Sequence, residues 1–176
     1  MPQGDAIDSQ ALLTHHARRH CSPQWRAFLP LLFTELYRNA SQADADAFLR
    51  HLGGQLAGEL PLEEQATLEA LERAINRRWD EIDWGYVRLG SDATGIVIHH
   101  AACPTPAGPT PESDASSRRA MAALLEGCYG QWLQGQGGAT SVPIHTLPAA
   151  AAPAEDLPGC VSLRYGHVNP LASPSL

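Results

Sequence analysis

Chemistry in this sequence would start from its histidines, cysteines and carboxylates. His99, His100 and Cys103 lie close together, as do His16, His20 and Cys21. Each trio offers nitrogen and sulfur donors to a metal. Zinc asks for about four ligands in a tetrahedral array. Neither cluster has the paired spacing of a finger, so solvent-exposed or strand-end histidines are the plainer reading, and no metal or cofactor is expected. A cysteine nucleophile would need Cys103 or Cys128 beside a histidine. Cys128 falls on the apolar stripe of a helix, where a thiol is buried and inert. Glu126-Gly127 with Gly130 has the look of a phosphate loop, but it sits mid-helix with no strand before it. Gly127 and Gly130, about one helical turn apart, better suit the close approach of a neighbouring helix or sheet. Glu35, Asp83 and Glu126 come from separate elements and form no glycosidase pair. Trp84, Tyr129 and Trp132 could stack on sugar rings. Their corner and helix positions favour core burial instead. Trp25 and Trp79 are ambiguous in the same way.

The elements that position these residues turn on the stretch Glu81–Gly90. Helical spacing ends there and strand alternation begins. Gly85, between Trp84 and Tyr86, supplies the backbone freedom such a corner needs. Val87 and Leu89 then face opposite to Tyr86, Arg88 and Gly90. Upstream, Ser22-Pro23 starts a helix whose apolar face is Trp25, Phe28, Leu29, Leu32, Phe33 and Leu36, with Pro30 expected to kink or delay it. Ser41, three before Asp44, reads as a capping box for a second helix with Phe48, Leu49, Leu52 and Leu56 as its buried stripe. Gly53, Gly54, Ala57 and Gly58 form another face nearly free of side chains. Each glycine there costs about 1 kcal/mol of helix stability, which close backbone approach would explain. Pro61 is expected to open a third helix through Leu68, Leu71, Ile75 and Ile82, with Glu69 and Arg73 pairing on its wet side.

Downstream, Thr94–Ala102 makes a hairpin with the Trp-Gly-Tyr strand through a turn at Ser91-Asp92. Pro104–Asp114 reads as a surface loop. Ser116 or Ser117 would cap a helix with Met121, Leu124, Leu125, Cys128, Tyr129, Trp132 and Leu133 on one face. Val142–Leu147 gives a third strand, which Pro143 makes an edge strand or an interrupted one. Ala149–Pro158 reads as a linker, and Cys160–Tyr165 as a fourth strand. The order predicts an α+β fold: N-terminal helices, then a small antiparallel sheet of about four strands with one inserted helix. The expected organisation is an N-terminal extension over 1–22, in which a short helix through Leu12 and Leu13 or a mobile arm fits equally. One domain over 23–168 and a disordered tail over 169–176 follow.

The 176 residues suffice for one domain with a real core, and 44% are hydrophobic. A net charge of −7, from 12 basic and 19 acidic side chains, disfavours nucleic acid and anionic membranes as partners. No run approaches the ~20 apolar residues of a membrane span. The N-terminus lacks a secretory pattern, so a cytoplasmic setting is expected. There Cys21, Cys103, Cys128 and Cys160 would be reduced, although an even count permits two disulfides on export. The broad apolar helix faces exceed what four strands can cover, which favours a homo-oligomer.

Two segments resemble a known family. Ile82-Asp83-Trp84-Gly85-Tyr86-Val87-Arg88-Leu89 is similar to the Asn-Trp-Gly-Tyr-Val-Lys-Leu segment of the D protein of the bacterial cellulose synthase operon. Leu125-Glu126-Gly127-Cys128-Tyr129-Gly130-Gln131-Trp132 is similar to that family's Leu-Glu-Gly-Leu-Tyr-Gly-Arg-Trp segment. Weaker likeness covers Phe28–Ala57 and the last strand, about residues 25–168. The resemblance implies an accessory component without known catalysis, built as dimers that stack into an octameric ring. It would order synthase complexes so that cellulose is exported as crystalline bundles. Implied partners are the synthase complex, a disordered accessory protein and possibly nascent glucan chains. The implied location is cytoplasmic at the inner membrane, with the periplasm as the alternative. The chain departs from the family in its first 22 residues, in the proline-rich loop and at Pro30, and no binding residue is carried over. The element order also resembles, more distantly, vinyl-reductase-type and TRAPP-like domains, some of which bind small hydrophobic ligands.

Overall fold

A computed structural model of the chain describes residues 21–105, 110–147 and 159–166. The expected N-terminal arm up to residue 20, the linker at 149–158 and the tail at 169–176 lie outside the described residues. Helices α1 (Pro23–Asn39), α2 (Gln42–Glu59) and α3 (Leu68–Glu81) come first. The hairpin β1 (Tyr86–Asp92) and β2 (Gly95–Ala101), helix α4 (Pro111–Gly135), and strands β3 (Ile144–Thr146) and β4 (Val161–Gly166) follow. The described strands form one antiparallel sheet in the order β1-β2-β4-β3. The fold is α+β, as the order of periodicities predicts.

Several boundaries differ from the sequence expectation, each for a local reason. Pro30 neither delays nor ends α1; it is buried within a helix whose turns continue on both sides. The third helix does not begin at Pro61. Thr67 caps it, its hydroxyl accepting from the Ala70 amide at 3.2 Å. Likewise Thr110, not Ser116 or Ser117, caps α4 by accepting from the Ser113 amide at 3.2 Å. Both caps satisfy a first-turn donor that has no helical partner. The expected loop therefore ends at Thr110, and Pro111 to Asp114 belong to the helix. The hairpin turn is Ala93-Thr94 rather than Ser91-Asp92, because Asp92 still pairs with Gly95. The Asp92 carboxylate accepts from Thr94 and from both terminal nitrogens of Arg164, which ties the turn to β4. On α3 the ion pairs are Arg78–Glu81 and Arg88–Glu72, not Glu69–Arg73.

The largest correction concerns α2. Its buried face is Ala45, Leu49, Gly53 and Ala57, while Phe48 and Leu52 are exposed. The reason is the neighbour. A Cβ added at Gly53 would lie 1.9 Å from the Leu124 carbonyl oxygen, and one at Gly127 1.9 Å from that of Arg50. The backbones of α2 and α4 thus touch reciprocally at two glycines, which only a small-residue face allows. Gly54 and Gly58 meet nothing and take no part in that contact.

Helix side chains reach both outer edges of the sheet and satisfy part of each. Asn76 on α3 accepts from the Val87 amide at 2.7 Å and donates to its carbonyl at 3.0 Å, while Glu72 accepts from the Leu89 amide at 2.8 Å. At the opposite edge, Glu126 on α4 accepts from the amide and hydroxyl of Thr146 at 2.9 and 2.8 Å. Side-chain amide and carboxylate groups here take the place of a neighbouring strand.

Candidate functional site

Three regions could do something specific: the aromatic centre of the core, the polar contacts around Glu126, and the apolar surface of α1 and α2. The aromatic centre is closed except at Trp84, which is partly buried and also lines the groove beside α1 and α2. Trp79 is 0% exposed and stacks on Trp84 with ring centroids 5.7 Å apart and planes 9° apart. Trp132, Tyr129 and His100 meet it edge-on. A single polar thread runs through these rings. The Trp79 indole N–H donates to the Tyr129 hydroxyl oxygen at 3.0 Å. His100 Nε2 lies 2.7 Å from the Trp84 carbonyl oxygen, so it must carry the proton. Nδ1, 2.6 Å from the Tyr129 hydroxyl, is then the acceptor. Every polar atom along the thread has a partner, which is what burial demands. Burial lowers the His100 pKa to about 4 and keeps the ring neutral, and it raises that of Tyr129.

Such a thread cannot serve as a nucleophilic or metal site. Burial pushes the Cys103 and Cys128 thiols up to about 12, so neither is a thiolate near neutrality. No disulfide joins the described cysteines. His99 points away from His100, its Nδ1 2.9 Å from the Ser162 hydroxyl. Among the described residues no group of three His, Cys, Asp or Glu side chains could hold a metal ion. Of the trio His16, His20 and Cys21, only Cys21 lies within the described residues.

Glu126 is likewise spoken for. One carboxylate oxygen accepts from Arg50 Nε at 2.6 Å and the other from Thr146, so it joins α2, α4 and β3. Glu35 is on the surface of α1, paired with Arg38. Asp83 occupies the turn after α3 with a φ of 55°. The three carboxylates are not brought together. Gly85, with φ of 83°, forms the corner as expected, and a Cβ added there would fall 2.1 Å from the Ala101 carbonyl oxygen. Gly130 departs from expectation: a Cβ there meets only an Ile144 methyl at 3.6 Å, so no close approach requires that glycine.

The surface of α1 and α2 is different in kind. Trp25, Phe28 and Leu31 are 54%, 53% and 64% exposed along the outer ridge of α1. Between the two helices runs an open groove of about 140 Å³, lined by Leu29, Leu32, Leu36, Phe48, Leu52 and Met121 among other apolar side chains. Phe33 alone of the expected α1 face is fully buried, with Leu49, Ala120 and Ala123. Sequence periodicity places these residues in a core, and it misses Leu31 and Arg50. The run Phe28-Leu29-Pro30-Leu31-Leu32-Phe33, apolar all the way round the helix, is the available signal for Leu31.

The family model for the D component of cellulose synthase matches residues 11–156, so the likeness begins within the first 22 residues rather than after them, contrary to expectation. The chain belongs to that family. A protein of Komagataeibacter xylinus named cellulose synthase operon protein D is 29% identical over 122 residues, covering 68% of this chain and 76% of the relative. A second protein of that name and organism, and one from Komagataeibacter sucrofermentans, are each 26% identical over 148 residues, covering 83% of this chain and 92% of the relative. The two segments that carry the family resemblance meet in space. Trp84 from the first gives its carbonyl to His100, whose other nitrogen meets Tyr129 from the second. Trp132 donates to the Leu60 carbonyl at 2.9 Å and anchors the end of α2. Tyr86 stays half exposed at the sheet edge. The family segments are thus mostly a packing core. No described helix is long and apolar enough to cross a membrane.

Proposed function

We propose that the protein is a non-catalytic accessory component of bacterial cellulose biosynthesis that self-associates, as dimers building an octameric ring, and orders synthase complexes so that cellulose emerges in crystalline bundles. One observation carries this reading. The groups capable of chemistry, His100, Tyr129, Cys128 and Glu126, are consumed by internal contacts, whereas the large apolar side chains of the α1 outer ridge face outward. An exposed ridge of Trp, Phe and Leu on a folded domain marks an association surface. The synthase complex and a disordered accessory protein are the proposed partners, at the cytoplasmic face of the inner membrane. Nascent glucan finds no platform in the buried Tyr129 and Trp132, so any contact with it would use exposed rings such as Trp25.

Light scattering on a sizing column tests the assembly. Eight chains of 18.9 kDa give 8 × 18.9 = 151.2 kDa. A peak near that mass is expected, and a monomer would overturn the ring. The α1–α2 groove is the feature that favours the second reading, a small-ligand-binding domain. Its volume of about 140 Å³ falls short of the roughly 300–1,000 Å³ that enclose a drug-sized ligand. Native mass spectrometry detecting a co-purified hydrophobic molecule would reverse that preference.

A further inference from the structure

The large apolar side chains left outside the core gather on one surface. Seven are exposed among the described residues, and six of them, all but Tyr86, belong to α1 and α2. They are contiguous. The Trp25 and Phe28 rings lie 6.1 Å apart. Phe28 is one helical turn from both Leu31 and Leu32. Leu32 in turn lines the groove that Phe48 and Leu52 border from α2.

Size and charge both point to the occupant of this surface. At 54, 53, 64, 45, 54 and 44% exposure, Trp25, Phe28, Leu31, Leu32, Phe48 and Leu52 leave on the order of 700 Å² in water. The largest apolar patch of a monomer is about 300–600 Å², and a stable pair buries about 800 Å² per partner. The patch is therefore about one partner's share of a standard interface. No charged side chain lines the groove. Arg50, between Phe48 and Leu52 in sequence, is turned to Glu126, and Glu35 pairs with Arg38 farther along α1. Each copy carries a net charge of −7, so an uncharged face is where two copies meet with least repulsion. The shape is also self-complementary, because a convex ridge and a concave groove lie side by side along one helix. A two-fold axis beside α1 sets that helix antiparallel to its counterpart and brings each ridge to the other copy's groove.

We infer that α1 and α2 of two copies pack face to face about a two-fold axis, with Phe28 of each seated against Leu32, Phe48 and Leu52 of the other. This contact rests on the self-association proposed above and gives it a surface. It also covers Trp84, which lines the groove while stacking on Trp79, so pairing completes the closure of the aromatic centre.

A photoreactive benzoylphenylalanine placed at Phe28, and separately at Leu52, in the full-length protein tests this. The expected product contains two chains, 2 × 18.9 = 37.8 kDa under denaturing conditions. Peptide mapping should find the Phe28 probe on residues 29–52 of the other copy and the Leu52 probe on residues 25–32. Leu32→Asp with Leu52→Asp should abolish both links and lower the solution mass, with the helical circular dichroism retained because both side chains are exposed. Unchanged mass in that variant overturns the inference. So does a link within one chain, residues 1–20 included, or a link to the sheet or α3 of another copy. The wild-type mass separates this contact from the ring. An octamer with the links elsewhere overturns the contact alone, a 37.8 kDa pair with the expected links overturns the ring alone, and a monomer overturns both.

Discussion

Trp79 and Trp25 are the same residue type, and Trp25 sits on the more apolar of the two helices, yet Trp79 is sealed and Trp25 is half in water. Trp79 has four aromatic neighbours and a satisfied indole N–H. Trp25 has Phe28, with ring centroids 6.1 Å apart, as its aromatic neighbour. The difference lies in what stands opposite. α3 faces the sheet and α4, which present rings and a polar acceptor. On α1, Phe33 is buried against Ala120 and Ala123 of α4, whereas Trp25, two turns earlier, is 54% exposed. Helical periodicity reports that a face is apolar; it does not report which surface meets it.

Four experiments would break or sharpen that contrast. Trp79→Ala should cost about 3–5 kcal/mol, seen as a large fall in melting temperature, because it empties the centre and leaves the Tyr129 oxygen without its donor. A loss below about 1 kcal/mol would mean the sealed centre is not what holds the fold. Gly127→Ala drives a methyl into the Arg50 carbonyl and should cost about 1–3 kcal/mol. Gly130→Ala, with room for its methyl, should gain up to about 1 kcal/mol from helix propensity. Equal effects at the two glycines would remove the account of the α2–α4 contact.

The third experiment uses acidity. The folded pKa of His100, about 4, is below the ordinary 6.5, so the unfolded chain binds the extra proton between those values. The contribution of His100 is complete above about pH 6.5 and is lost as pH falls towards 4, at up to about 1.4 kcal/mol per pH unit. Denaturant titrations of wild type and His100→Gln across that window should differ in slope; parallel curves would mean the ring is not held neutral. The smallest effect belongs to the ridge. Leu31→Ser should change stability by no more than about 0.5 kcal/mol, while lowering the solution mass. A large fall in melting temperature would place Leu31 in a core after all.

Much of the fold is legible in the sequence because periods of 3.6 and 2 are strong signals, and Gly85 marks their junction. Gly53 and Gly127 are readable as a close approach because glycines inside helices need a cause. The start of α3 is hidden because Pro61 is an attractive first-turn residue, and Thr67, the cap used, is an ordinary one. On α2, Leu49 and the small-residue face are legible, but Phe48 and Leu52 are misplaced for a physical reason: a pattern rule favours the large side chains, whereas backbone contact with α4 selects the small ones and turns those two outward. At the site, the helical positions of Tyr129 and Trp132 point correctly to the core, whereas Trp84 at the corner is only partly buried. The thread through His100 is not foreseeable, since it joins β2, α4 and the corner at Trp84, far apart in sequence.

The side chains of Asn76, Glu72 and Glu126 along the rims of the sheet have a further consequence. An open rim can recruit an extended segment from any neighbour and pass its pattern on, the route by which folded domains seed fibres. Here that recruitment is pre-empted at part of each rim. Copies of the protein brought close together would meet rims whose groups at Val87, Leu89 and Thr146 are already taken.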